Sequence, residues 1–226
     1  MVDYRIVDTG VRPLDRALEL IGDSGRSPII ATGYGRRLLQ ERIGCEAVTE
    51  IKAYARGAAH YNRNCRTVID IGGQDSKVIQ VKDGKVVNFH MNDRCAAGTG
   101  RFLEIMASTL GYDIREFSNQ ALKAGGAVSI NSMCTVFAES EVISLIAKGE
   151  PPPSIALGLH ESIVSRLIAM MGSIEPEPEI IFAGGVALNE CVRKLIERQL
   201  GMTLVVPPEP QIVGALGAAL LAQALG

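Results

Sequence analysis

The stretch RTVIDIGGQDSKVIQVKDGKVVNFHM, residues 66–91, decides what fold we expect. It opens with an apolar run typical of a buried strand, which ends at the paired glycines Gly72 and Gly73. Apolar and polar residues then alternate on both sides of Asp83-Gly84, a dipeptide favoured in two-residue hairpin turns. We therefore predict a strand, a glycine turn and an antiparallel β-hairpin in this order.

A second apolar run, EIIFAGG at residues 179–185, also ends at a glycine pair. Residues 187–201 follow with helical spacing and a terminal glycine, as expected for a helix that begins after the turn. Helical spacing predicts further helices over residues 14–21, 47–61, 100–110, 114–123, 139–148, 154–171 and 213–224. The predicted class is α/β with helices in excess.

The composition is that of a globular protein that can bury a core, with 226 residues of which 47% are hydrophobic. A net charge of −2 without a long basic run argues against a nucleic-acid partner. We expect no membrane partner, because no apolar run looks long enough to cross a bilayer and MVDYRIVDTG lacks the pattern of a signal peptide. The expected location is the cytoplasm.

Both glycine pairs follow strands, where a turn without side chains lets an anion approach the backbone amides. At the first turn, Asp70 could orient a hydrated magnesium ion, and Gln74 could hydrogen-bond a terminal phosphate or the attacking water. At the second turn, FAGGVALNE at residues 182–190, the helix that follows could direct its N-terminal amides at a nucleotide. The alternative for either turn is a corner that needs glycine for its geometry alone.

Cys95 and Cys134 share a setting, since each lies just upstream of a predicted helix. The unpaired amides and the dipole of a helix N-terminus favour negative charge, and hence a metal-bound thiolate. An iron–sulfur cluster needs about four protein ligands, which a symmetric dimer would supply from these two cysteines. The alternative is that both are small buried side chains.

The other cysteines and the histidines give no sign of a ligand cluster. Cys45, Cys65 and Cys191 have no partner at ligand spacing, so we expect each to have a structural role. The three histidines are scattered along the chain, and an HxxxH zinc motif is absent from the sequence.

Six motifs occur in a fixed order along the chain: ATGYGR (31–36), DIGGQDSK (70–77), NDRCAAGTGRFLE (92–104), CTVFAESEVISL (134–145), FAGGVALN (182–189) and QIVGALGAAL (211–220). Together they resemble the activator component of 2-hydroxyacyl-CoA dehydratases, of which the 2-hydroxyglutaryl-CoA dehydratase activator is the type member. Related ATPase subunits occur in benzoyl-CoA reductases. The resemblance runs from about residue 28 to the C-terminus, and its two cysteine motifs are the most specific part.

The resemblance implies the α/β fold shared by actin, sugar kinases and Hsp70 chaperones, with ATP in a cleft between two lobes. We expect an N-terminal lobe over residues 1–94 and a C-terminal lobe over residues 95–226, with the cysteine motifs on a helical insert. The first glycine turn matches the family's second phosphate loop, with Asp70 and Gln74 as the catalytic residues. The second turn matches the adenosine motif. The residues assigned to ATP and magnesium are Asp70, Gly72, Gly73, Gln74, Gly184, Gly185 and Gln211.

Cys95 and Cys134 match the family's cluster ligands, two from each subunit of a homodimer that holds one 4Fe-4S cluster. The implied activity is an ATPase coupled to electron transfer. A reduced ferredoxin or flavodoxin donates an electron to the cluster, and ATP hydrolysis drives that electron on to the dehydratase component. The acyl-CoA substrate would bind to this partner and not to the chain itself.

One departure from the family concerns the first phosphate loop, of the type GIDxGSTxxK. Nothing before Ala31 resembles it, so we expect the N-terminal phosphate-loop strands to be missing. Two alternatives therefore stay open. The chain could be a non-hydrolysing nucleotide-binding or iron–sulfur scaffold, or a sugar-kinase-like enzyme of the same superfold in which the cysteines are incidental.

Overall fold

The computed structural model describes residues 3–22, 28–92, 95–131, 134–172 and 174–225. Its helices are α1 (Pro13–Ile21), α2 (Arg36–Ile43), α3 (Glu50–Tyr61), α4 (Gly100–Thr109), α5 (Ile114–Leu122), α6 (Thr135–Ala147), α7 (Pro152–Met171), α8 (Glu190–Leu200) and α9 (Val213–Gln223). Its strands are β1 (Ile30–Ala31), β2 (Glu46–Ala47), β3 (Thr67–Ile71), β4 (Ser76–Lys82), β5 (Lys85–Asn92), β6 (Ile180–Ala183) and β7 (Leu204–Val205). Short 3-10 turns cover Gly185–Leu188 and Pro210–Ile212.

A five-stranded sheet in the order β5-β4-β3-β6-β7 forms the centre of the structure. Strand β3 is antiparallel to β4 and parallel to β6, in a register that sets Asp70 beside Ala183. Strand β7 continues the parallel part, and β1 and β2 form a separate parallel pair. Because β3 and β6 run in the same direction, the glycine turns that follow them meet at one edge of the sheet.

The predicted hairpin is confirmed as β4 and β5. Its two turn residues are Asp83 at φ 52° and Gly84 at φ 71°. Two successive residues in the left-handed region are what a type I′ turn requires, and this turn matches the twist of the strands that it joins.

Helices cover both faces of the sheet. Ile69 and Phe182 point into the larger core, which α4, α5, α7 and α8 close. Val68 and Ile181 point to the other face, against α3 and α9. Every residue of β3 and β6 is therefore buried, and most of them are apolar, as is usual for strands covered on two faces.

Two predicted helix boundaries need correction, and one helix was not predicted. The helix predicted over 47–61 begins only at Glu50, because the Thr49 hydroxyl caps it by accepting from the amide of Lys52 (3.3 Å) and because β2 pairs with β1 before it. Helix α6 begins four residues before the predicted 139–148, directly after Cys134. Helix α2 was not predicted; most of its residues are polar or charged, and none is buried.

The expectation that no apolar run could cross a membrane is wrong as a statement about length and composition. Helix α7, with 20 residues, is long and apolar enough, although half of it is buried. Leu159, Ile163 and Leu167 belong to the core beneath the sheet. Its apolar character therefore has a structural explanation, because one side of the helix packs against the protein interior.

The predicted lobe boundary at residues 94 and 95 falls inside the sheet region. Strands β3, β4 and β5 lie before it, whereas β6 and β7 lie after it in the same sheet. The division into lobes stays a prediction, and residue 94 at its boundary lies outside the described residues.

Candidate nucleotide cleft and cysteine pair

The glycine turns after β3 and β6 form one wall of a cleft with a volume of about 630 Å³. Five of the residues assigned from the sequence line this single cleft, although they come from three separate motifs. They are Gly72, Gly73, Gly184, Gly185 and Gln211. Helices α4 and α5 form the opposite wall, with apolar and charged side chains. These include Leu103, Glu104, Ile114 and Arg115.

The two turns need glycine for different reasons. Gly184 has φ +85°, and a Cβ there would lie 2.4 Å from the carbonyl oxygen of Ile71, so this position requires glycine for geometry. Its amide donates to the carbonyl of Pro210 at 2.9 Å, which ties the turn after β6 to the 3-10 turn that carries Gln211. A Cβ on Gly73 would meet nothing within 4 Å. Packing therefore does not explain a glycine at this position, which lines the cleft.

Hydrogen bonds fasten the first glycine turn to the start of α4. The carbonyl of Gly72 accepts from the amide of Gly100 (2.8 Å), and the carbonyl of Gly73 accepts from the amide of Arg101 (3.1 Å). The Ser76 hydroxyl donates to the carbonyl of Gly98 at 2.6 Å. The short segment after Cys95 is thus attached to the turn that faces the cleft.

Asn189 lines the cleft and is held from behind by His160. The carbonyl of Ala156 can only accept, so Nδ1 of His160 carries the proton and donates to it (2.7 Å). Nε2 then accepts from the Asn189 amide at 3.0 Å. Burial lowers the pKa of His160 to about 4, so the ring is neutral at neutral pH.

Asp70 lies below the cleft and does not line it. It is fully buried, and its Oδ2 accepts from Lys77 Nζ at 3.0 Å. Burial raises the pKa of Asp70 to about 6, although Lys77 acts to lower it. Oδ1 makes no hydrogen bond of ordinary geometry among the described residues, but the Tyr54 hydroxyl interacts with the carboxyl group and also acts to lower its pKa. Gln74 is exposed on the glycine turn and is also absent from the lining of the cleft.

Lys77, which is 1% exposed, is a residue of the site that the sequence motifs did not reveal. Its Nζ lies 2.6 Å from Asp75 Oδ1, 3.0 Å from Asp70 Oδ2 and 3.6 Å from Glu50 Oε2. Burial acts to lower the pKa of Lys77, but the neighbouring carboxylates, led by Asp70, raise it by a larger amount. The net pKa is therefore above its usual value, and the side chain is charged. The pairing of β3 with β4 sets Lys77 directly opposite Asp70.

The five cysteines separate by exposure. Cys95 and Cys134 are exposed, Cys45 is half-buried, and Cys65 and Cys191 are buried. Burial raises the pKa of the Cys65 thiol to about 11 and that of Cys191 to about 12, which keeps both protonated. The structural role expected for these two is therefore supported by their burial, and burial is ruled out for Cys95 and Cys134 in the single chain.

Cys134 is the N-cap residue of α6, and its side chain makes no capping hydrogen bond there. Cys95 precedes α4 by a few residues, and its carbonyl accepts from the Asn92 amide at 3.0 Å. Among the described residues, no group of three or more His, Cys, Asp and Glu side chains could hold a metal. One chain thus presents two exposed thiols and lacks the four ligands that a cluster needs.

Comparison with known proteins gives three strong likenesses. The model of the BadF/BadG/BcrA/BcrD ATPase family matches residues 10–222. The (R)-2-hydroxyglutaryl-CoA dehydratase activating ATPase of Acidaminococcus fermentans is 46% identical over 172 residues, covering 76% of this chain and 66% of that protein. The crystal structure of component A of this dehydratase has a TM-score of 0.88 at 41% identity, over 96% of this chain and 86% of that one.

Two further solved structures extend the comparison. The activator of 2-hydroxyisocaproyl-CoA dehydratase from Clostridium difficile, with bound ADPNP, has a TM-score of 0.85 at 38% identity, over 96% of this chain and 82% of that one. A ROK family glucokinase from Streptomyces griseus has a TM-score of 0.52 at 14% identity, over 96% of this chain and 89% of that one, which shows the fold alone. The predicted fold class, an α/β ATPase fold of the actin and sugar kinase type, is confirmed.

Proposed function

This chain belongs to the BadF/BadG/BcrA/BcrD ATPase family, and we propose that it is an ATP-dependent activator of a 2-hydroxyacyl-CoA dehydratase or of a related acyl-CoA reductase. The family resemblance inferred from the sequence motifs is confirmed by the match. The observation that carries the proposal is the convergence of the two glycine turns and Gln211 on one cleft. A cleft of about 630 Å³ lies in the usual size range of small-molecule sites.

In the proposed ATP complex, the phosphates lie against Gly72 and Gly73, where no side chain blocks their approach. Gly184 and Gly185 of the second glycine turn and Gln211 of the 3-10 turn after β7 face the nucleoside. Gln74, exposed on the same turn as Gly73, is placed to orient the attacking water, as a glutamine does in other NTPases. Hydrolysis then consumes one water and releases ADP and phosphate.

Asp70 fits the role of a magnesium partner through water. Its Oδ1 is buried and makes no hydrogen bond of ordinary geometry among the described residues, although the Tyr54 hydroxyl interacts with this carboxyl group. A metal-bound water could donate to this oxygen. Its full burial argues against direct contact with the metal. Magnesium would supply charge neutralisation of the phosphates during transfer.

We propose further that Cys95 and Cys134 hold a 4Fe-4S cluster together with the same two residues of a second copy. The support is their exposure, which sets them apart from the other cysteines, and the two-ligand supply of one chain. A cluster of this type would supply a one-electron redox centre. A reduced ferredoxin or flavodoxin would be the donor, and the dehydratase component would receive the electron.

The link between the cleft and the cysteines is the segment that follows Cys95. In this segment, the Gly98 carbonyl accepts from Ser76, the first residue of β4, and the Gly100 amide donates to Gly72 of the first glycine turn. A change in that turn on ATP hydrolysis would therefore move the start of α4 directly. This connection supports the coupling of hydrolysis to electron transfer.

The Gly73→Val variant tests the ATP site. A side chain at Gly73 meets nothing within 4 Å, and the position does not need a left-handed backbone, so the variant should fold normally while its side chain enters the cleft. We expect its affinity for ATP to fall at least tenfold, measured by calorimetric titration, along with its rate of ATP hydrolysis. Its melting temperature should stay within about 2 °C of the wild type.

The matched control is Gly126→Val, at another position with open space around it. It should bind and hydrolyse ATP like the wild type. Wild-type protein that binds ATP without hydrolysing it would contradict the proposed ATPase and favour a scaffold. Wild-type affinity in Gly73→Val would remove this turn from the phosphate site.

A further inference from the structure

Lys77 is a buried cation held by carboxylates from three different parts of the chain. Asp70 lies near the end of β3, Asp75 belongs to the first glycine turn, and Glu50 lies in the first turn of α3. Burying an ammonium group costs several kcal/mol unless it is paired and hydrogen-bonded. A buried lysine in strand β4 therefore calls for an explanation, because the β4–β5 hairpin could form without it.

Lys77 is connected to the first glycine turn, Gly72 and Gly73, through Asp75. The Asp75 side chain accepts from Lys77 Nζ at 2.6 Å, and the Asp75 carbonyl accepts from the amide of Gly72 at 2.9 Å. A Cβ on Gly72 would lie 3.2 Å from Asp75 Oδ1, so the turn folds tightly over this carboxylate. The position of Asp75 consequently sets the conformation of Gly72 and Gly73.

The same cluster attaches the turn to elements that precede β3. Glu50 contacts Lys77 through Oε2, while its Oε1 faces Gly33, where a Cβ would lie 3.6 Å away. The Tyr34 hydroxyl donates to Asp75 Oδ2 at 3.2 Å. The ATGYGR segment and α3 thus converge on the underside of the phosphate turn.

Charge gives a second reason for a lysine at this position. Three carboxylates beneath a turn that receives phosphate would repel the ligand, and this repulsion is strong where water is excluded. The ammonium group of Lys77 offsets part of that negative charge. It also keeps Asp70 and Asp75 apart from the phosphates by holding them below the turn.

We propose that Lys77 is a positioning residue of the ATP site, which fixes the glycine turn in its phosphate-binding conformation and ties that turn to Glu50 and Tyr34. The inference rests on the proposed ATPase function. Its effect falls on the phosphate end of the nucleotide, because Gly185 and Gln211 lie on the turns after β6 and β7. Loss of Lys77 should therefore weaken ATP more than AMP.

The test compares Lys77→Met, Lys77→Arg and the control Lys82→Met, which alters an exposed lysine of the same strand. Calorimetric titration gives the Kd values of ATP, ADP and AMP, and steady-state assays give kcat and KM for ATP. We expect Lys77→Met to raise the Kd of ATP at least tenfold, to lower kcat at least tenfold and to leave the Kd of AMP within twofold. Lys77→Arg should recover part of the loss, and Lys82→Met should match the wild type.

Equal weakening of all three nucleotides would assign Lys77 a general structural role and overturn the inference, as would wild-type ATP binding and kcat in Lys77→Met. If Lys77→Met does not fold, Glu50→Gln and Tyr34→Phe test the inference instead. The first weakens the ion pair with Lys77, and the second removes the hydrogen bond to Asp75. Both should weaken ATP more than AMP at an unchanged melting temperature, and wild-type values in both would overturn the inference. Failure of the wild type to bind ATP would instead contradict the proposed function.

Discussion

At the scale of single residues, the cleft depends on buried polar groups as well as on glycine. His160 contacts the Phe117 ring with 4.7 Å between ring centroids, and it supports Asn189 from behind the cleft wall. Because its Nδ1 and Nε2 are both engaged and it is fully buried, a proton can be added only at the expense of the Asn189 contact. This residue connects the stability of the core with the shape of the site.

Protonation of His160 should oppose folding in mild acid. Its pKa is lowered from its usual 6.5 to about 4 in the folded chain, so the unfolded chain binds the proton more readily between these values. The contribution to folding stability is complete above about pH 6.5, declines as the pH falls to about 4 and amounts to roughly 3 kcal/mol. The raised pKa of Asp70, about 6, acts in the opposite direction over the same range, because the folded chain binds that proton more readily. Urea unfolding at pH 7.5 and 4.5 therefore gives the His160 contribution as the difference between the wild type and a variant without this histidine.

His160→Gln is the comparison for this measurement, because glutamine keeps an amide oxygen that can accept from Asn189. The variant should be less stable at pH 7.5 and should lose less stability on acidification than the wild type. An equal loss in both proteins would show that other groups, and not His160, cause the acid sensitivity.

Residues of the site differ in how well the sequence predicts them. The glycines could be predicted from the sequence because each pair follows an apolar run, and a strand that ends at paired glycines is a local pattern. The role of Lys77 could not be predicted from the sequence, because a lysine among alternating apolar and polar residues is typical of a solvent-facing strand position. Its burial follows from three carboxylates that the fold brings together from residues 50 to 75, and this is tertiary information.

At the scale of elements, glycine sets how closely α3 and α9 pack. A Cβ on Gly57 would lie 2.0 Å from the carbonyl oxygen of Val213, and one on Gly217 would lie 1.8 Å from that of Ala53. The two helices cross with their backbones in contact. Tyr54 of α3, which lines the cleft, owes its position to this crossing.

Gly217→Ala should destabilise the protein, although alanine is the better helix former by up to ~1 kcal/mol. The added methyl group cannot fit against the Ala53 carbonyl, and overpacking of this kind costs roughly 1–3 kcal/mol. Chemical unfolding measures the change. Gly126→Ala, where a Cβ meets nothing within 4 Å, is the control and should be close to neutral. Wild-type stability in Gly217→Ala would mean that the helices can separate without cost.

Element types were easier to predict than element boundaries. Asp83-Gly84 specified the hairpin because both residues tolerate the left-handed region that a type I′ turn needs. The first turn of α6 was not predicted because TVF, residues 135–137, has a composition that favours a strand. In the structure these residues are helical, and Cys134 is the N-cap of α6. Helix α6 leaves Val136 and Phe137 each 67% exposed, so no burial pattern marks its first turn in one chain.

At the scale of the whole molecule, this exposed surface bears on the proposed homodimer. Val136 and Phe137 follow Cys134 directly, and Ile143 and Ile146 of the same helix are also exposed. Apolar side chains concentrated on one exposed helix are typical of an interaction surface. They adjoin the thiol that we assign to the cluster, as a dimer closed by that cluster would require.

The central claim is that this ATPase carries a cluster between two chains, and iron analysis tests it most directly. The protein is purified without oxygen, and iron, sulfide and molecular mass are measured for the wild type, Cys134→Ser and the control Cys45→Ser. We predict about four iron and four sulfide per two chains in the wild type and the control, and loss of both iron and dimer in Cys134→Ser. Wild-type protein without iron, or an unchanged iron content in Cys134→Ser, would contradict the account.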